Sequence, residues 1–133
     1  MDKFRRLGLK LTPQRIAIMQ YLDGNNEHPS ADDIYKILIK KYPTMSMATI
    51  YNTMDVLRDR KYIRELTIDP QKKRYDPNIN PHNHLMCIDC KKIVDIYGDI
   101  DVDLPQSEKG DFEIIGHHIE FYGYCPMCKK NNH

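Results

Sequence analysis

Two cysteine pairs constrain this chain more tightly than any other feature. Cys87-x-x-Cys90 and Cys125-x-x-Cys128 hold all four cysteines among 133 residues. One such pair grips a metal from a tight turn, and two pairs complete a tetrahedral shell of four thiolates. The 34 residues between the pairs exceed the usual zinc-ribbon spacing. A small sheet must therefore bring the two turns together. Two disulfides, a single iron or free thiols would also satisfy the pattern. A ligand-saturated set in a reducing compartment favours zinc. A closed tetrahedral zinc has no open position and no redox chemistry, so its role would be structural.

The first pair ends the stretch HNHLMCIDC, residues 82–90. In extended backbone, side chains alternate faces. His82 and His84 then share one face, and Cys87 points to the other. Four thiolates leave zinc no need of imidazole, so the histidines point to a second metal. Imidazoles with carboxylates make a nitrogen and oxygen shell suited to Fe(II), Mn(II), Co(II) or Zn(II). His28, Asp76 and Asp95 are candidates to complete it, but spacing alone does not group them.

The residues before this stretch predict three helices and a ribbon. Thr12-Pro13 starts the first helix, which carries Ile16, Met19, Tyr21 and Leu22 and stops at Gly24. Ser30-x-x-Asp33 starts the second, with Ile34, Ile37, Leu38 and Tyr42 on its apolar face and Pro43 closing it. Ser46 caps the third, where Ile50, Met54 and Leu57 form one buried stripe. YIRELTI (62–68) and KKRYD (72–76) read as strands joined at Asp69-Pro70. This order fits a winged helix-turn-helix, whose third helix enters the major groove. A helical bundle with a hairpin has the same pattern. Tyr51 and Asn52 on the third helix, with Thr49 and Arg15 nearby, are the candidate DNA contacts. Lys10, Lys61, Lys72 and Lys73 are candidates for phosphates.

Charge agrees with a polyanion partner for the front half. Residues 1–78 carry 15 Lys and Arg against 10 Asp and Glu, and residues 79–133 carry 5 against 9. Pro77, Asn78, Asn80 and Pro81 make a polar hinge at 78–81 between a domain at 1–77 and a second at 82–133. The second reads as strands near 83–87 and 92–97 and a long strand over 111–121. Pro105 and Gly110 limit the region between to a short helix. The fold class is α+β, with a winged helix-turn-helix followed by a small α/β domain that needs extra support. No apolar run is long enough to cross a bilayer, so no membrane partner is expected. MDKFRRLGLK has no apolar core of the secretory kind, so the expected location is cytoplasmic.

Six stretches carry a wider likeness. TPQR (12–15), HPSADDIY (28–35), MSMATIYNTMDVL (45–57), RYD (74–76), HNHLMCIDCKKIVDI (82–96) and HHIEFYGYCPMC (117–128) resemble the ferric uptake regulator (Fur) family, most closely its peroxide-sensing branch. The resemblance covers nearly the whole chain in order. It implies a homodimeric, metal-dependent repressor of double-stranded operator DNA, with the second domain for dimerisation. It implies structural Zn2+ at Cys87, Cys90, Cys125 and Cys128. It also implies a regulatory Fe2+ or Mn2+ at His28, Asp76, His82, His84 and Asp95, favouring one hinge angle. In this family an Asp at position 95 resembles the peroxide sensors, and a Glu the iron-uptake regulators. The implied chemistry oxidises His28 or His82, so that the ligand is lost and DNA is released; Mn(II) would hold the active shape without that reaction.

Pro81 and Asn83 stand where the family often has ligands of a further metal site, which leaves His117 and His118 as its candidate partners. The region 98–110 is shorter and more broken than the usual dimerisation helix. Two other functions fit the residues. One is a regulator of iron, manganese or zinc uptake that follows metal level. The other is a metalloenzyme, against which stands the lack of a nucleophile–base pair and of a substrate motif.

Overall fold

Three N-caps set the helices of the first unit. In the structure, a computed structural model that describes residues 8–132, Thr12 accepts from the Arg15 N–H at 3.2 Å and opens α1 (Pro13–Leu22). Pro13 sits in the first turn, where a missing N–H costs nothing. Ser30 and Asp33 form a reciprocal capping box at the start of α2 (Ala31–Leu38). Ser46 accepts from the Thr49 N–H at 3.1 Å and opens α3 (Met47–Asp59).

Their inward faces close one core. Ala17, Ile18, Met19 and Leu22 of α1 join Ala31, Ile34 and Leu38 of α2 and Ile50, Met54 and Leu57 of α3. Ile37, expected on the buried face of α2, is 46% exposed. Ala31, Ile34 and Leu38 already fill the inward stripe, and Ile37 falls on its flank. The ribbon pairs β1 (Arg64–Leu66) with β2 (Arg74–Asp76), antiparallel, with Arg64 opposite Asp76. Both strands are shorter than expected, because Asp69 accepts from the Gln71 N–H at 2.9 Å and turns the chain there. Tyr75 plugs the ribbon into the helical core, and its burial pushes the phenol up to about 12.

The chain divides into two compact units, Met1–Asn80 and Pro81–His133. The second is a three-stranded sheet with β3 (Asn83–Cys87) between β4 (Ile93–Ile96) and β5 (Glu120–Gly123). β3 pairs antiparallel with β4 and parallel with β5. Two short helices, α4 (Gln106–Lys109) and α5 (Pro126–Asn132), complete it. The long strand expected over 111–121 is reduced to Glu120–Gly123. The register of His84 with Glu120 sets residue 117 opposite Pro81, which has no N–H to give. Helix α5 was not expected from the sequence. Its signal is Pro126 in the first turn behind Cys125, whose sulfur accepts from the Cys128 N–H at 3.4 Å. Three capped helices, a ribbon and a small mixed unit are the α+β winged-helix arrangement that the sequence predicts. No described helix is long and apolar enough to cross a membrane.

Replacing Ser30 with Ala removes the hydroxyl half of the capping box, the Asp33 N–H to Ser30 Oγ bond, and leaves the backbone N–H at position 30 on the Asp33 carboxylate. The expected loss is about 1 kcal/mol, read as a lower urea midpoint with an unchanged slope.

Candidate metal centres and DNA-binding surface

Cys87 ends β3, Cys90 closes the turn that follows, and Cys125 and Cys128 flank the start of α5. Their ligand atoms all lie within 4.8 Å of one another. The Cys90 and Cys125 sulfurs are 3.8 Å apart, and all four thiols are free. A disulfide needs sulfurs at about 2.0 Å. Four sulfurs at about 2.3 Å from one tetrahedral ion stand about 3.8 Å from each other. The cluster therefore fits a four-thiolate metal and not a pair of disulfides. The N–H groups of Cys90 and Cys125 pull the Cys87 thiol down to about 6. Cys128 is pushed the other way, to about 12, by its bond to the Cys125 sulfur. Thiolates this close repel, and a divalent cation removes that conflict.

Strand alternation sets His84 and Cys87 on opposite faces of β3. On the His84 face, β4 brings Asp95 directly opposite. The Nε2 atoms of His82 and His84 lie 3.2 and 3.3 Å from Asp95 Oδ1. Donors about 2.1 Å from one ion stand between about 3.0 and 3.4 Å apart as the angle opens from square to tetrahedral. Each imidazole nitrogen thus stands from that one oxygen at the spacing of two ligands on a common ion. Their rings meet edge to face, with centroids 4.6 Å apart. Tyr97 stacks on His82 at 5.3 Å, and its hydroxyl donates to Asp95 Oδ2 at 3.1 Å.

The first unit holds its own pair. His28 Nε2 lies 3.5 Å from Asp76 Oδ2, and both side chains are 1% exposed. His28 adopts a φ of 56°, a left-handed conformation uncommon outside glycine. Two bonds hold it there. Arg74 Nη1 donates to the His28 carbonyl at 3.3 Å, and the Tyr75 N–H donates to the Pro29 carbonyl at 2.9 Å. Arg74 is itself fixed by Asp69, at 3.1 Å, with the carboxylate buried. Asp76 Oδ1 accepts from the Asn78 N–H at 2.9 Å, which turns the chain just past β2. Arg74 and Asp69 are positioning residues that sequence reading missed. Their signal was an Asp-Pro turn followed by an arginine on the next strand.

Of the candidates for a further site, His118 Nε2 sits 2.7 Å from Glu120 Oε1 and is exposed. Tyr122 donates to the other oxygen of Glu120, and the two bonds hold that carboxyl below its usual range. Among the described residues, neither His117 nor His118 joins a cluster of three or more ligand-type side chains.

The nucleic-acid candidates fall in two places. Lys10, Arg15 and Thr49 line one open groove, where Arg15 Nη1 donates to the Lys10 carbonyl at 3.0 Å. Tyr51 and Asn52 are exposed on α3. Lys61 and Lys72 are exposed. Lys73 is drawn to Glu65 at 3.3 Å, and Glu65 also takes Arg58 of α3 at 2.8 Å. That network ties the ribbon to α3.

Comparison with known proteins agrees with this architecture. The sequence model of the ferric uptake regulator family matches residues 6–122. The chain belongs to the ferric uptake regulator family. It is 42% identical, over 95% of its length and 85% of the relative, to the peroxide-responsive repressor PerR of Staphylococcus epidermidis. It is 40% identical to the peroxide operon regulator of Bacillus subtilis, over all of this chain and 94% of that one. The structure of the iron-bound ferric uptake regulator of Francisella tularensis superposes with a TM-score of 0.76 at 25% identity, covering 92% of this chain and 96% of that one. Family and relatives are transcriptional regulators, so the chain is a DNA-binding regulator and not an enzyme.

Replacing Arg74 with Ala would leave Asp69 buried without its cation. The expected loss is about 3 kcal/mol in urea unfolding, and removing Asp69 as well should recover part of it.

Proposed function

We propose that this protein is a homodimeric, metal-dependent repressor that binds double-stranded operator DNA in the cytoplasm and lets go when peroxide oxidises a histidine ligand. One observation carries the reading. Asp95, not a longer carboxylate, meets His82 and His84 in a chain 42% identical to a peroxide-responsive repressor. The proposal assigns His28, Asp76, His82, His84 and Asp95 to one regulatory Fe(II) or Mn(II), and Cys87, Cys90, Cys125 and Cys128 to structural zinc. Three imidazoles and two carboxylates suit those regulatory ions, and four thiolates suit zinc. When bound, Fe(II) supplies the electrons that cleave peroxide, whereas Mn(II) supplies only the fixed geometry. His28 and His82 are the imidazoles expected to gain oxygen. An oxidised imidazole binds metal poorly, so the angle between the DNA-binding and dimerisation units is no longer held.

DNA binding is assigned to α3 through Tyr51 and Asn52, with Thr49 and Arg15 beside it and Lys10, Lys61 and Lys72 near phosphates. Lys73 is the weakest of the phosphate candidates, since Glu65 already engages it. Dimerisation is assigned to the second unit. Phe112 and Ile115 are 78% and 96% exposed there, and the stretch over 111–119 leads into an edge strand. A second copy would cover both features.

Two measurements test this reading. Protein loaded with Fe(II) and given peroxide should gain one oxygen on the peptide holding His28 or His82 and lose operator binding, while Mn(II) protein does neither. Operator binding that follows metal concentration and ignores peroxide would mark a metal-level regulator instead. Tyr51→Ala should weaken operator binding at least tenfold, with zinc content unchanged. Undiminished binding would remove α3 from the groove.

A further inference from the structure

The carboxylate that meets His82 and His84 has its second oxygen occupied. Asp95 Oδ1 faces the two Nε2 atoms at 3.2 and 3.3 Å. Oδ2 accepts from the Tyr97 hydroxyl at 3.1 Å. Asp95 lies on β4 and Tyr97 one residue past its end, so the two, two positions apart in extended backbone, project to one face. The Tyr97 ring is stacked on His82, 25° from parallel with centroids 5.3 Å apart. That stacking fixes where the hydroxyl can reach. Asp76 shows the same division of labour in the first unit. Its Oδ1 takes the Asn78 N–H, and its Oδ2 is the atom near His28.

A carboxylate has two ways to hold a metal. With both oxygens available it can clasp the ion and fill two positions. With one oxygen engaged by a hydrogen bond it offers a single donor atom. Resting on the regulatory site proposed above, the five side chains then supply five donor atoms. Six-coordinate Fe(II) or Mn(II) keeps one position open. We propose that the Tyr97 hydroxyl is a positioning group that confines Asp95 to one-oxygen ligation and so keeps a position at the regulatory metal open to peroxide. Tyr97 touches the ligand, not the metal. The selectivity it supplies is between reacting with peroxide and merely holding an ion.

Tyr97→Phe isolates the hydroxyl, because the ring that stacks on His82 remains. The experiment uses the full chain with its zinc retained and Co(II) as the probe ion. Five-donor Co(II) absorbs visible light more strongly than six-donor Co(II), so the variant should lose band intensity as Asp95 clasps with both oxygens. With Fe(II), oxygen incorporation at His28 or His82 should slow about 10–100-fold. Mn(II) affinity should not fall. An unchanged Co(II) spectrum and an unchanged oxidation rate would overturn the role given to Tyr97. So would a drop in Mn(II) affinity that parallels the drop in oxidation, since the hydroxyl would then only support the ligand. A His84→Ala control keeps the two readings apart. If it leaves the Co(II) spectrum untouched, the site assignment itself fails, and Tyr97 with it.

Discussion

The second unit depends on its four sulfurs because little else is buried in it. Among its described residues, only Met86, Cys87 and Ile93 are buried apolar side chains. Three such side chains cannot offset the ordering of a chain this long. The first unit has the opposite balance, with thirteen buried residues in one cluster. A closed metal shell compensates for a thin core, since binding to ligands gathered only in the folded state is itself folding energy. The sulfurs join the turn after β3 to the helix after β5, so the ends of the sheet are tied across its width.

The same turn sets the geometry of the other site. Cys87 and Cys90 bracket the link from β3 to β4. It is closed by the Cys87 N–H on the Lys92 carbonyl and the Lys91 N–H on the Cys87 carbonyl, each at 2.9 Å. Lys91 takes a φ of 66° to make the bend. This fixes Met86 opposite Ile93, and two residues on, His84 opposite Asp95. A slip by one residue would carry Asp95 to the far face of the sheet and dissolve the triad. On the proposed assignment, a closed shell in the turn therefore holds the register on which an open one relies.

Much of this was legible in the sequence, for a physical reason. Caps, period and parity are local, and Thr12, Ser30, Ser46 and the split between His84 and Cys87 all follow from neighbours in the chain. What escaped was not local. His28 is held by Arg74, 46 residues away, through a backbone carbonyl that no spacing rule reveals. The stretch over 111–119 reads as a strand, yet strand status depends on a partner, and the register sets its residue 117 opposite Pro81, which has no N–H to give. Lys73 looked free to meet phosphate until Glu65, opposite Tyr75 on the ribbon, came within reach. Tyr97 carried no signal at all, since a tyrosine past the end of a strand is ordinary until its hydroxyl meets a ligand's spare oxygen.

On the proposed assignment, one ion drawing ligands from both units makes a coupling free energy, and coupling is reciprocal. If the ion favours the DNA-binding arrangement by some factor, operator DNA tightens the ion by that same factor. A repressor seated on its operator is then the form that keeps its metal best and meets peroxide fully loaded. Loss of metal by dilution reverses when metal returns. Oxygen bonded to an imidazole carbon does not leave, so that molecule stays off until it is replaced. The distinction gives the two carboxylates a sharper role than binding strength. A shell that clasped the ion with every available oxygen would hold metal well and repress well. A shell with one oxygen of Asp95 tied back by Tyr97 gives up a donor atom, and the position left over is where the signal enters.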